Sequence, residues 1–548
     1  VTEIASDDAV NQRLVERGLV DFFQHGIRSS SWSFFDQPAA ARLCYVGTPI
    51  SNLAFLVGQE RNGDINTTLH FPTPQIHRIL PWKPDAQSLP SHYGSNFSSV
   101  LSSLPAKEIR DALVDAFFDE IHPGFPVVDE SEFRQSLMQK DAPPPLLLLQ
   151  SVMLVGAHVC QHPKVAKSRS LAKAAFFQRA KTLWDLRFEN DRVNLVQAAL
   201  LFSWHVENAD MVSANHHYWI SVACGIAFGL GMHRNLGAAS TSVMPQASRN
   251  LFRRIWWTLF QASVLSSLDH GRPQLVRNDD ADQPPLTEED MVETGGVINH
   301  KIDLQYCVDN SRLCEIISDV LDRFSPGSIR RNGVSQDTAL IDARLADWLL
   351  SLPAGDGFYM LQLRLHYNVT LLQLHRTVIQ HNPSEELSQS AKLCSGAAES
   401  LMITLRAMCH AGVIRRCYFT GLTALMAAAI QFSRDLHLAI EQNSKLLELQ
   451  ARTKLEQCFP ILREMAPFMS TANAAMRLFQ HVLDRAKSGI STTKVAAEPD
   501  IDEAVCASDH DLLNESWEYI FSTLYRSPIE PQWAFPEVDL EFQPEVGP

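Results

Sequence analysis

The stretch Arg253–Val276, RRIWWTLFQASVLSSLDHGRPQLV, decides how the rest of the chain is read. With Leu251 and Phe252 just before it, the apolar residues Ile255, Trp256, Leu259 and Phe260 recur at i, i+1, i+4 and i+5, the stripe of an amphipathic helix. Arg253 and Arg254 fall off that stripe. Gly271 then permits a turn, and Pro273 bars a further helical turn. Arg272 between them is expected to bond nearby carbonyls or a carboxylate at the corner. Such a segment either roofs a catalytic pocket or braces a helical scaffold whose output is binding.

Working outward, the same period runs from about residue 105 to about residue 488. Ile109, Leu113, Phe117 and Ile121 stand four apart, on one helical face, up to a stop at HPGFP, where Pro123 disfavours helical geometry at His122. PPPLLLLQSVMLVGA, SLAKAAFFQRAKTLWDL and VNLVQAALLFSWHVE follow with helical period. ANHHYWISVACGIAFGLGMH is apolar almost all round, which predicts a central buried helix. Further helices are expected at roughly 300–323, 336–351, 358–381, 385–412, 417–441, 445–466 and 470–487. Few strand patterns and no βαβ rhythm occur, so the fold class is all-α, a large multi-helix body with a partly irregular N-terminal segment.

Three spans follow from composition. Residues 1–100, mixing short apolar pieces with Pro, Gly, Ser and Asn, are expected to wrap the helical body of residues 101–488. Residues 489–548 comprise an acidic linker and a tail in which Trp533, Phe535, Val538, Leu540 and Phe542 are interspersed with Glu537, Asp539 and Glu541. Acidic-hydrophobic alternation suits an activation segment that docks on a partner, or a tail packed on its own core; packing is the favoured reading.

The 548 residues are 45% hydrophobic and 20% charged, a globular composition with core enough to need no disulfide. A net charge of −15 opposes unaided binding to DNA or to an anionic membrane. The ten cysteines include no C-x-x-C, and most sit in apolar helical patterns, as reduced buried thiols of a cytosolic or nuclear protein do. No signal peptide is visible, and the apolar run Leu146–Val159 is too short for a bilayer and broken by Gln150. Because the sequence opens on Val1, a fragment or a processed product is one expectation.

Motifs for enzymatic chemistry are lacking: no G-x-G-x-x-G after a strand, no G-x-x-x-x-G-K-[ST], no G-x-S-x-G and no H-E-x-x-H. The metal-like cluster His158, Cys160 and His162 would not converge, because on a helix Cys160 points away from the two histidines and Pro163 ends that helix. In NHHYW, Asn215–Trp219, the adjacent histidines diverge, so one is expected to pack and the other to face solvent. Asp279, Asp280 and Asp282 lack the Gly and distal Glu of a calcium loop and read as solvated or capping residues. Cys307 and Cys314, two turns apart, read as core. No catalytic, cofactor or metal residue is assigned.

Seven segments in order carry a resemblance: YVGTPISNLAFLVGQE (Tyr45–Glu60), FPTPQIHR (Phe71–Arg78), LVDAFFDEIHPGFPVVDESEF (Leu113–Phe133), RAKTLWDLRFENDRVNLVQAALLFSWH (Arg179–His205), GIAFGLGMHRN (Gly225–Asn235), RRIWWTLF with its GRP, and LRLHYNVTLLQLHR (Leu363–Arg376). Together they are similar to the regulatory, middle-homology domain of fungal binuclear zinc-cluster transcription factors, most of all the cutinase and fatty-acid-utilisation regulators. The resemblance spans roughly residues 40–380. In that family the Trp-Trp helix and its corner are scaffold. It implies a nuclear regulator of RNA polymerase II transcription, with the transcription machinery or a coactivator as partner. A small apolar ligand or a partner protein would be the effector, and homodimers would form through a coiled coil beside the zinc cluster.

Two departures stand out. The family's zinc-holding module of six cysteines, through which DNA would be contacted, is missing from this sequence, so zinc is expected only in that module and no cofactor in this chain. Ser263 and Val264 occupy places where the family usually has Asp-Arg, so an ion pair common there is expected to be lost. The rival readings are a stand-alone, zinc-cluster-free relative acting by protein or ligand binding, and, ranked last, an enzyme on the same helical body.

Overall fold

Where Gly156 faces Leu113, two helices cross at backbone contact: a Cβ on Gly156 would lie 2.1 Å from the Leu113 carbonyl oxygen. The helices are α1 (Lys107–Ala116) and α3 (Leu146–Val159), and both belong to the first of two compact units. The computed structural model describes residues 41–45, 70–74, 103–139, 141–189, 191–205, 215–235, 244–332, 338–381, 389–469 and 471–488. The wrapping expected of residues 1–100 and the tail after 488 lie almost wholly outside them. Of the former, Ala41–Tyr45 pairs antiparallel with His70–Pro74, with Ala41 opposite Pro74 and Tyr45 opposite His70. Otherwise the described elements are helical, as the periodicity predicts.

The first unit continues with α2 (Glu130–Met138), α4 (Pro163–Lys167), α5 (Arg169–Asp185), α6 (Arg192–Phe202), α7 (His216–Gly229), α8 (Gln246–His270) and α9 (Leu304–Arg323). Helix α3 is covered by α1, α5 and α6, and every residue from Leu147 to Val159 is buried. Each fully buried Leu or Val there contributes on the order of 1.5–3 kcal/mol. Phe177, Trp184, Phe202 and Trp219 join α5, α6 and α7 edge to face, with Phe202 and Trp219 centroids 4.9 Å apart.

Two expectations change here. The helix buried all round is α3; α7 exposes Tyr218, Gly225 and Gly229, because α6 and α8 pack mainly along its other face. The first helix does end within HPGFP, at Gly124, but His122 does not leave helical geometry. The helix passes through a π turn (Phe117–Ile121) and a 3-10 turn (His122–Gly124), and His122 keeps helical angles of φ −53° and ψ −34°. Its imidazole is fully buried and pairs with the Val128 carbonyl at 2.7 Å, a tertiary contact that outweighs the bias imposed by the following proline.

The second unit, residues 323–488 among those described, contains α10 (Pro326–Asn332), α11 (Ala339–Ser351), α12 (Phe358–His381), α13 (Gln389–His410), α14 (Thr420–Glu441), α15 (Lys445–Glu456), α16 (Cys458–Met465) and α17 (Thr471–Ser488). Helices α12 and α13 form its main pair, α14 packs on both, and α15 folds back on α14. Asn443, at φ 52°, makes that last turn in the left-handed region that Asn tolerates after a helix. Trp348 of α11 stacks on Tyr367 of α12, the rings 14° from parallel.

Candidate functional site

Helix α8 carries a polar edge that clamps two neighbouring segments. Asn250 donates to the carbonyls of Glu289 and Val292 at 2.7 and 2.9 Å, and Trp257 Nε1 donates to that of Pro284 at 2.9 Å. Gln261 donates to the Cys307 carbonyl and to Ser311 Oγ on α9. Arg253 reaches Asp290 Oδ1 at 2.7 Å. Arg254, fully buried, donates to the Asp290 carbonyl at 3.1 Å and lies 3.7 Å from Glu293 Oε1. Burial pulls its guanidinium below the ordinary range, and Glu293, Asp129 and Asp290 oppose that pull.

The clamp reaches back to the start of α2. Glu293 accepts from the backbone N–H groups of Glu130 and Ser131, while Asp129, the α2 N-cap, accepts from the Glu132 N–H and from the N–H and hydroxyl of Thr294. Two carboxylates thus satisfy the first turn of one helix, where the dipole favours negative charge. Arg254, off the apolar stripe in the sequence, is a core residue because the loop at 284–293 folds over that edge. Helical periodicity cannot place a loop partner so far along the chain.

The backbone of the corner forms as expected. Gly271 ends α8 at φ 60° and ψ 29°, and the Arg272 N–H turns back to the Ser267 carbonyl at 3.1 Å. Beyond it, Gln274 exchanges hydrogen bonds with Ser318, and Arg277 pairs with Asp322 at 2.9 Å, tying the corner to α9.

Against this end lies the start of α7. His216 Nε2 is 3.8 Å from Asp269 Oδ2, and His270 Nδ1 is 3.9 Å from the same oxygen. The His216 and His270 ring centroids are 4.4 Å apart. His270 Nδ1 pairs with the Ser266 carbonyl at 3.1 Å, so that nitrogen carries the hydrogen, and His217 Nδ1 pairs with Ser266 Oγ at 3.0 Å. Burial, above all, lowers the pKa of His216, His217 (to about 4) and His270, and the charge of half-buried Arg272 pushes each the same way. The expectation that one of the adjacent histidines faces solvent fails. His216 and His217 are 6% and 8% exposed, because the end of α8 covers both. Among the described residues, His216, Asp269 and His270 form a group whose donor atoms all lie within 4.8 Å of one another. No spacing rule links position 216 to positions 269 and 270; only the packing of α7 on α8 does.

The other residues singled out in the sequence go separate ways. Helix α3 ends at Val159, ahead of Pro163, which opens α4 instead of ending α3. His158 pairs with Lys173 at 2.9 Å, Cys160 Sγ contacts the Ala112 carbonyl, and His162 lies 3.7 Å from Glu108, so the three do not converge. Burial drops the Lys173 ammonium to about 7. Asp279, Asp280 and Asp282 are exposed, and Asp282 accepts from Arg234 and from the Asn235 N–H. Cys307 and Cys314 are buried, as are Ser263 and Val264. The described cysteines are all free, and burial pushes the thiols of Cys224, Cys307, Cys417 and Cys458 up to about 12, which makes them inert.

With that geometry in hand, the class is defined by comparison: residues 114–350 match the fungal specific transcription factor domain, and the chain carries that domain. Its particular relatives are regulators. The acetamidase regulatory proteins of Aspergillus fumigatus and Aspergillus oryzae are 35% and 34% identical over 457 and 496 residues, covering 80% and 87% of this chain and 55% and 59% of theirs. Cutinase transcription factor 1 alpha of Fusarium vanettenii is 29% identical over 470 residues, 81% of this chain and 50% of its own. The chain therefore spans little more than half the length of the relatives it matches. The resemblance read from the seven segments is met, cutinase regulators included.

Proposed function

We propose that the chain is the regulatory body of a fungal transcription regulator, controlling RNA polymerase II transcription in the nucleus in response to a small apolar ligand or a partner protein. The single observation that carries this reading is the domain match over residues 114–350, supported by the regulators 35% and 34% identical to the chain. It acts through a coactivator or the transcription machinery, as a homodimer, and not as an enzyme. With a net charge of −15 and no C-x-x-C, it depends for DNA contact on a zinc-cluster module outside this sequence. No helix among the described residues is long and apolar enough to cross a membrane.

Its mechanism is conformational, so an effector must bind two states with different affinity. The clamp of α8 on residues 284–293 is the element such an effector would have to hold or release. The test is a fusion of the chain to a heterologous DNA-binding domain at a reporter promoter. Reporter output should change several-fold relative to the DNA-binding domain alone. Unchanged output from a fusion that is expressed and nuclear would sink the reading. Sequencing the transcript upstream of the Val1 codon tests the zinc-cluster part separately.

A further inference from the structure

The regulatory reading makes no use of the three donors gathered where α7 begins and α8 ends. We propose that His216, Asp269 and His270 form a binding site for one divalent transition-metal ion, Zn2+ foremost, which staples the start of α7 to the end of α8. It is separate from any zinc cluster, since it uses no cysteine.

Four observations carry the proposal. First, the donor set is right: two imidazoles and a carboxylate are zinc ligands, and a water completes a tetrahedron. Second, the spacing is right. Bonds of about 2.0–2.1 Å put tetrahedral ligands roughly 3.4 Å apart; Asp269 Oδ2 lies 3.8 Å from His216 Nε2, and one donor atom from each of the three residues lies within 4.8 Å of the others. Side-chain rotation of the three residues closes the remaining gap. Third, the support is in place. His270 donates from Nδ1 to the Ser266 carbonyl, the outer contact that fixes a metal-binding histidine's tautomer and leaves Nε2 its lone pair. Fourth, the field is mixed in a testable way. The negative end of the α8 dipole favours a cation, while Arg272 opposes it.

The experiment uses the full chain, stripped with a chelator and titrated with Co2+ as a spectroscopic probe, followed by competition with Zn2+. Expected are one equivalent of Co2+ giving ligand-field bands without the intense thiolate charge-transfer absorption that cysteine ligation produces, and its displacement by Zn2+. His216→Ala and His270→Gln should each lose that equivalent while keeping the helical circular dichroism of the metal-free protein. Arg272→Gln keeps every donor and should tighten binding about tenfold by removing a nearby positive charge; it decides the matter should the histidine variants not fold. Absence of stoichiometric binding, a thiolate-type spectrum, binding that survives in folded His216→Ala, or no tightening in Arg272→Gln would each overturn the proposal.

Discussion

In the first unit Arg254 is buried against Asp290 and Glu293, and Glu293 in turn holds Glu130 and Ser131, a pairing across 163 residues. In the second, the α12–α13 pair is filled by Leu365, Leu372, Leu401 and Leu405, with soft sulfur contacts between Cys417 and Met408 and between Cys458 and Met402. Buried polar networks fix one arrangement because any slip leaves charges unpaired. Apolar and thioether packing tolerates repacking at small cost. The first unit is thus held by a buried ion network, while the second combines apolar packing with a smaller neutral network of Gln362, His366 and Thr420, and the domain match at residues 114–350 falls mostly on the first.

Acid is the widest test of that contrast. The first unit holds His122 and His233 at about 4 and His205 at about 3, all mainly through burial; the second holds His366 at about 3. The unfolded imidazole takes its proton near pH 6.5 and the native one refuses it, so stability is lost as pH falls from 6.5 toward 4. By pH 5 each such histidine costs about 2 kcal/mol, which summed over the three named in the first unit is about 6 kcal/mol against about 2 in the second. Hydrogen exchange at pH 7 and pH 5 should show the first unit's amides losing protection first. Equal loss in both units would break the comparison.

Arg254→Met should cost about 3–5 kcal/mol, since removing one partner strands buried carboxylates. Arg254→Lys should recover less than half of that, because a single ammonium cannot serve Asp290 and Glu293 together. Urea unfolding of the three proteins measures both. Gly156→Ala drives a Cβ into a backbone oxygen that has nowhere to go, and a loss of about 3 kcal/mol or near it is expected by thermal melting. Gln150→Met runs the other way. Both amide atoms of Gln150 are buried without a hydrogen-bond partner among the described residues, so an apolar side chain of similar size should stabilise by about 1 kcal/mol. The smallest effect belongs to Leu446→Gln on the surface of α15, 68% exposed, which should move the melting point by no more than about 0.5 kcal/mol implies.

Much of this was legible in the order of residues. The stripe through Ile255, Trp256, Leu259 and Phe260, the left-handed Gly271 and the stop at Pro273 follow from local sterics and helical period, and the structure keeps all of them. The same local logic located α11, α12, α13 and α14 within a few residues. It could not place Arg254 in the core and misjudged the pair His216–His217 because both owe their environment to segments distant in sequence, and it misjudged His122 because the turn to Val128 folds back on it.

What the sequence determined by itself, then, is the helical class, the turn chemistry and the seven ordered segments that mark the family, all encoded by neighbours within one or two turns. What only the tertiary structure decided is which helix lies at the centre, which charges are buried, and that His216 meets Asp269 and His270. Those outcomes depend on how helices pack, and packing pairs residues by surface complementarity across tens or hundreds of positions, where no period reaches.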